Sequence, residues 1–97
     1  MIPYRLLPPA EEEMIEGALF YEGEAPGLGD DFLDDVQHAI DCVREHSELG
    51  VTVAYGFRRV LVRRFPFSII YAIEPAHIIV VAVVHQRRAP EYWKGRT

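Results

Sequence analysis

Apolar positions change their period near residue 50. Before Ser47 they recur at steps of three and four; after Gly50 they gather into β-branched and aromatic runs. That change places helices in the first half and strands in the second. Ile2 to Leu7 is a short apolar segment suited to an edge strand, stopped by Pro8 and Pro9. Pro9 fits the first turn of a helix, and Glu11, Glu12 and Glu13 fall where the helix dipole favours negative charge. Met14, Ala18 and Tyr21, with Ile15 and Leu19, keep helical spacing until Gly23 and Ala25-Pro26-Gly27 end the helix. A second helix is predicted to open at Asp30 or Asp31, either of which can cap it. Phe32, Val36, Ala39, Ile40 and Val43 mark its buried stripe, and it fades by Ser47 to Gly50. The short link predicts an antiparallel helix hairpin.

Phe57 to Phe65 reads as a strand punctuated by arginines. Its odd positions (Phe57, Arg59, Leu61, Arg63, Phe65) and its even positions (Arg58, Val60, Val62, Arg64) both mix apolar and basic residues, so alternation leaves its core face open. Pro66 bends or ends this strand. Phe67 to Ile73 is the next, Glu74-Pro75-Ala76-His77 a hairpin turn, and Ile78 to His85 a central strand apolar on both faces. The tail from Gln86 is polar and basic, with Tyr92 and Trp93 as anchors or as stacking surfaces for bases. The order strand–helix–helix–strand–strand–strand predicts an α+β fold, with the helix hairpin packed on one face of an antiparallel sheet. The first strand must join that sheet to bury its apolar side.

Ninety-seven residues, 49% hydrophobic and 26% charged, are expected to form a single ordered domain over residues 1–97. The longest apolar run, Ile78 to Val84, is far short of the roughly 20 residues that span a bilayer. The first residues lack the basic-then-apolar pattern of a signal peptide, and a lone Cys42 rules out an internal disulfide. A cytoplasmic protein with no membrane partner is the expectation.

Charge divides the chain in two. Residues 1–48 hold two basic and thirteen acidic groups, a net of −11; residues 49–97 hold eight basic and two acidic groups, a net of +6. The basic groups come in pairs: Arg58-Arg59, Arg63-Arg64 and Arg87-Arg88, then Lys94 and Arg96. Arginine grips phosphate or carboxylate with a planar fork. Such a half suits a polyanion or an acidic partner, or else balances the acidic helices.

Several segments resemble the RelE/ParE superfamily. They are Tyr21-Glu22, Gly27-Leu28-Gly29 before Phe32, Val36 to Ala39, the strand around Arg58-Arg59, the run Arg64-Phe65-Pro66-Phe67-Ser68-Ile69-Ile70-Tyr71, and the ending Ala82 to Trp93 with its His85-x-Arg87-Arg88 core. The resemblance implies a toxin of a type II toxin–antitoxin pair, often called a plasmid-stabilisation protein, held inactive by a cognate antitoxin. A homo-oligomer within that complex is compatible with it. It also implies one of two activities. ParE-like members arrest growth by inhibiting DNA gyrase; RelE-like members cut messenger RNA on the ribosome.

RNA cleavage needs a base, an acid and positive charge on the phosphoryl oxygens. His85 lies roughly where some nuclease members carry a histidine, and Tyr92 offers a hydroxyl. As a structural residue His85 would instead hydrogen-bond the tail. RelE-type nucleases rely on lysines in the strand region, and none occurs here between Gly50 and Glu91. That absence tips the expectation toward ParE-like arrest. Arg58, Arg59, Arg63, Arg64, Arg87 and Arg88 are then candidates for holding a target or a phosphate. His38, Cys42 and His46 stand four apart on the second helix, but the outer pair lies about 12 Å apart along the axis, too far to share one ion. No metal motif, Gly-rich phosphate loop or nucleophile elbow occurs, so no cofactor is expected.

Overall fold

The computed structural model describes residues 1–88 and 91–96; Ala89 and Pro90, inside the ending motif, and Thr97 lie outside the described residues. The elements are β1 (Tyr4–Leu6), α1 (Pro8–Glu24), α2 (Leu28–Glu45), β2 (Val51–Thr52), a 3-10 turn (Ala54–Gly56), β3 (Arg58–Leu61), β4 (Phe67–Ile73) and β5 (Ile78–His85). The fold is α+β, with the two helices against a five-stranded sheet of order β1-β5-β4-β3-β2. Strands β2 to β5 form an antiparallel meander. β1 joins it beside β5 and runs parallel, Tyr4 opposite Ile78 and Leu6 opposite Val80. The sheet is therefore mixed. Parallel neighbours need a long crossover, and the helix hairpin lies within the chain that separates β1 from β5. Among the described residues no helix is long and apolar enough to cross a membrane.

The second helix begins at Leu28, earlier than the aspartates suggest, and neither Asp30 nor Asp31 caps it. The cap comes from the preceding helix. Both carboxylate oxygens of Glu22 accept the Gly27 N–H, at 3.2 and 3.0 Å, and Oε1 also accepts the Gly29 N–H at 3.1 Å. Gly27 turns the chain in the left-handed region, at φ 84°. At Gly29 a Cβ would stand 2.6 Å from the Ala18 carbonyl oxygen, so the close crossing of the helices depends on its absence.

Phe32, Val36, Ala39, Ile40 and Val43 of α2 are all buried, as their spacing predicts. In α1 only part of the apolar set points inward. Met14, Ala18 and Tyr21 pack on the core, whereas Ile15 and Leu19 are exposed. Tyr21, Phe32, Phe65 and Phe67 form an aromatic cluster, with centroid distances of 4.7 Å for Tyr21–Phe65 and 4.8 Å for Phe32–Phe67. Gly17 makes room for it, since a Cβ there would come within 2.8 Å of the Phe32 ring.

The strand expected over Phe57 to Phe65 is shorter, ending at Leu61. Val62 to Phe65 instead make a tight turn, closed by the Val62 N–H donating to the Phe67 carbonyl at 2.9 Å, with Arg64 left-handed at φ 65°. The turn carries Val62 and Phe65 into the helix-side core. A strict period of two cannot describe a segment that leaves the sheet, which is why alternation left its face open. Within the true strand the faces separate: Val60 packs toward the helices, while Arg59 and Leu61 look to the other side.

β5 also breaks strict alternation. Its register against β4 shifts between Ile70 and Tyr71, so that Ile70 pairs with Ala82 and Tyr71 with Val80, leaving Val81 as an extra residue. Ile78 and Val80 face the helices before the bulge, and Val83 does so after it. Ile79, Val81, Ala82 and Val84 belong to a second core on the opposite face, with Ile70, Phe57 and Trp93.

Candidate functional site

The helix-free face of the sheet is only partly covered. Trp93 is buried on it, 5.4 Å from the Phe57 ring in an edge-on contact. Beside this lid lies a cavity of about 560 Å³. Its floor includes Ser68, Ile70 and Val84, and Arg59, Leu61, His85, Arg88 and Glu91 are among the residues around it. Strand alternation explains the membership. Arg59 and Leu61 are two apart on β3, as are Ser68 and Ile70 on β4, and period-two residues share a face.

A network at the open edge of β5 holds the tail that borders this cavity. β1 ends at Leu6, and the Leu7 N–H still reaches the Val80 carbonyl at 3.0 Å. Beyond that point side chains take over from a strand. Glu13 of α1 accepts the Val83 N–H at 3.1 Å, and Arg96 donates to the Val81 carbonyl at 3.0 Å. Glu13 and Arg96 also pair with each other in a forked contact of 2.9 and 3.1 Å. The Tyr92 hydroxyl donates to the second Glu13 oxygen. Burial, and then the Glu13 carboxylate beside it, push the Tyr92 hydroxyl far above the usual tyrosine range. It stays protonated and serves as a donor. The Arg88 guanidinium stacks on the Tyr92 ring at 4.3 Å, and Arg96 lies 4.9 Å from the same ring.

Glu13 was not singled out by the sequence, where it is one of three consecutive glutamates. The available signal was weak: only Glu13 of the three is turned partly inward, and only the fold brings it beside residues 79 and 83 positions away.

The six candidate arginines do not converge. Arg58 donates to the carbonyls of Glu48 at 3.2 Å and Gly50 at 2.9 Å, tying down the loop before β2. Arg64 grips Asp35 of α2 at 2.8 and 2.9 Å, and that contact draws the Asp35 carboxyl below the usual carboxylate range. Arg63 shares the β3–β4 turn with Arg64, and Arg87 lies in the turn after β5. Arg59 and Arg88 are the pair that meet at the cavity. Among the described residues neither makes a salt bridge.

His85 sits at the end of β5 with its ring 5.2 Å from Phe67. Its Nδ1 accepts the Arg87 N–H at 3.0 Å, which in the neutral ring puts the proton on Nε2. Tyr92 and His85 both border a smaller cavity of about 290 Å³ on the α1 side, whereas His85 alone of the two also lines the larger one. Among the described residues no three His, Cys, Asp or Glu side chains converge to hold a metal.

A helix hairpin on one face of a small mixed sheet, with an arginine-bearing surface on the other, is the topology of a RelE/ParE-superfamily toxin. The family described as ParE toxin of type II toxin-antitoxin system, parDE, matches residues 4–90, and the chain belongs to it. A solved structure described as the chromosomal ParDE TA system from P. aeruginosa shares the fold, at a TM-score of 0.76 and 15% identity, over 88% of this chain and 96% of that one. The chain matches no curated protein. Membership makes the protein the toxin half of a ParDE-type pair, with a cognate antitoxin as its partner.

Proposed function

We propose that the toxin acts in the cytoplasm as a ParE-like growth inhibitor of DNA gyrase and does not cut RNA. The observation that supports this reading is where the proton carriers stand. Tyr92 is held protonated against Glu13. His85 spends Nδ1 on the Arg87 amide. No lysine occurs in the sheet, and Lys94 lies in the tail. The cavity thus carries fixed positive charge on Arg59 and Arg88, while its two proton carriers, His85 and Glu91, make no hydrogen bond to each other among the described residues. Fixed charge can hold an anionic or acidic surface, but phosphate cleavage also requires proton transfer.

The test is a supercoiling assay with purified gyrase, run beside a ribosome-bound messenger RNA cleavage assay. Inhibited supercoiling with intact RNA is the expected pair of results, and toxicity should fall on Arg59→Ala or Arg88→Ala in folded protein. Codon-positioned cuts in the RNA, abolished by His85→Gln, would make the protein a ribonuclease of the RelE kind.

A further inference from the structure

We propose that the open-face cavity binds one free nucleoside phosphate, with its phosphate held by Arg59 and Arg88 and its base laid on the apolar floor. Three observations carry this. The first is size and lining: about 560 Å³ falls within the range of small-molecule sites, and the wall combines apolar side chains with charged and polar ones. Ile70, Val84 and Leu61 supply the apolar surface, and Leu61 is 62% exposed with no described segment covering it.

The second is preorganised, uncommitted charge. Arg88 is held in place by the face of Tyr92, which Glu13 fixes in turn. Stacking orients a guanidinium without using its N–H donors, and among the described residues the Arg88 side chain makes no hydrogen bond. Arg59 differs from Arg58 and Arg64 in the same way, since those two spend their donors on a loop and on Asp35. Two unspent forks beside one cavity suit a phosphate, which takes parallel N–H contacts.

The third is Ser68. It is the sole buried polar residue of the described chain, 4% exposed, and sits on the cavity floor. Its neighbours on that floor, Ile70 and Val84, are apolar. A hydroxyl there offers a ligand's polar atom both a donor and an acceptor. Glu91 also lines the cavity, and its carboxylate repels a phosphate and accepts from ribose hydroxyls or a base amine, so the phosphate is expected on Arg59 and Arg88.

The site does not depend on the gyrase reading, and its test uses no gyrase. The full-length chain is titrated with AMP and ADP by calorimetry, with inorganic phosphate and a six-nucleotide single-stranded RNA as separate probes. One saturable nucleotide site is expected, with affinity weakened roughly tenfold by Arg59→Ala and by Arg88→Ala, the loss of a charge-assisted contact. Ser68→Ala, which changes little volume, should weaken binding a few-fold, and Leu61→Trp should abolish it by filling the cavity. Circular dichroism establishes that each variant is folded. Absence of saturable binding to millimolar nucleotide would overturn the proposal. So would binding that folded Arg59→Ala and Arg88→Ala leave unchanged, or inorganic phosphate binding as tightly as ADP. Binding by the RNA without the mononucleotides would assign the cavity to nucleic acid instead.

Discussion

The two faces of the sheet are both apolar, yet they are finished differently. The helix face is closed by α1 and α2, and its aromatic cluster of Tyr21, Phe32, Phe65 and Phe67 leaves no room for one more methyl at Gly17. The opposite face is closed in part by Trp93 of the tail and by Phe57, and stays open beside them. Helices can cover a face fully because their apolar stripes match its length. A tail held by one carboxylate covers only what Trp93 reaches. The complete face carries stability, and the incomplete one is where arginines, a serine and a cavity come together.

The largest effect that would sharpen this contrast is Phe32→Ala. It should cost about 3–5 kcal/mol, the usual loss for a buried aromatic, read as a lower chemical-denaturation midpoint. Toxicity per folded molecule should be unchanged. A selective loss of toxicity in the folded fraction would break the division between the faces.

Glu13→Ala comes next. It removes partners from Tyr92, Arg96 and the Val83 amide at once. The Glu13–Arg96 pair is only partly shielded, so the cost should be roughly 2 kcal/mol, below the 3–5 of a fully buried pair. Hydrogen exchange should rise at Val83 and through the tail while α2 stays protected. Uniform exchange across both faces would show that the tail is not a separate unit.

A smaller effect separates the tail by pH. The Tyr92 hydroxyl is raised, so its stabilisation is complete below the ordinary tyrosine value of about 10 and is lost as pH climbs beyond it. Tyr92→Phe should cost about 1 kcal/mol at neutral pH. It should also flatten the fall in melting temperature above about pH 10. Parallel alkaline curves for the two proteins would exclude Tyr92 as the cause.

The smallest effect concerns Arg64 and Asp35, at the surface where the turn meets α2. The Asp35 carboxyl is lowered, so this contact helps at pH values above the ordinary aspartate range and is lost as pH falls below it. Arg64→Ala should shift the acid limb of the stability curve slightly and leave the neutral midpoint nearly unmoved. A large neutral loss would mean that the turn itself depends on the ion pair.

Much of the architecture was legible beforehand, because it rests on local periodicity. The α2 stripe, the β4 and β5 strands and the turn at Glu74 to His77 follow from spacing alone, and the Glu74 amide does donate to the His77 carbonyl at 2.9 Å. The errors fall where a contact between elements, and not the period within one, decides. Asp30 and Asp31 are good caps by type, but Glu22 reaches the amides first because the hairpin folds it there. The 57–65 strand was too long because Val62 and Phe65 gain more by turning into the aromatic core than by continuing the sheet.

The candidate site was legible as composition and not as a place. Arginine pairs, a histidine and two aromatics could be named from the chain, together with the resemblance that assigns them to a toxin. Pairing in sequence misled, because neighbours on a strand point to opposite faces. Arg58 and Arg59 have different fates for that reason alone. By itself the sequence determined the order of the main elements, though not the two-residue β2 or the 3-10 turn after it, together with the α2 core stripe, the α+β class and the family. Tertiary structure alone decided which arginines stay unspent and that Glu13 holds the tail. It also decided that β1 runs parallel and that one face of the sheet stays open. The physical reason is range: periodicity and turn chemistry act over a few residues, whereas the Arg64–Asp35 and Glu13–Arg96 contacts join residues 29 and 83 positions apart.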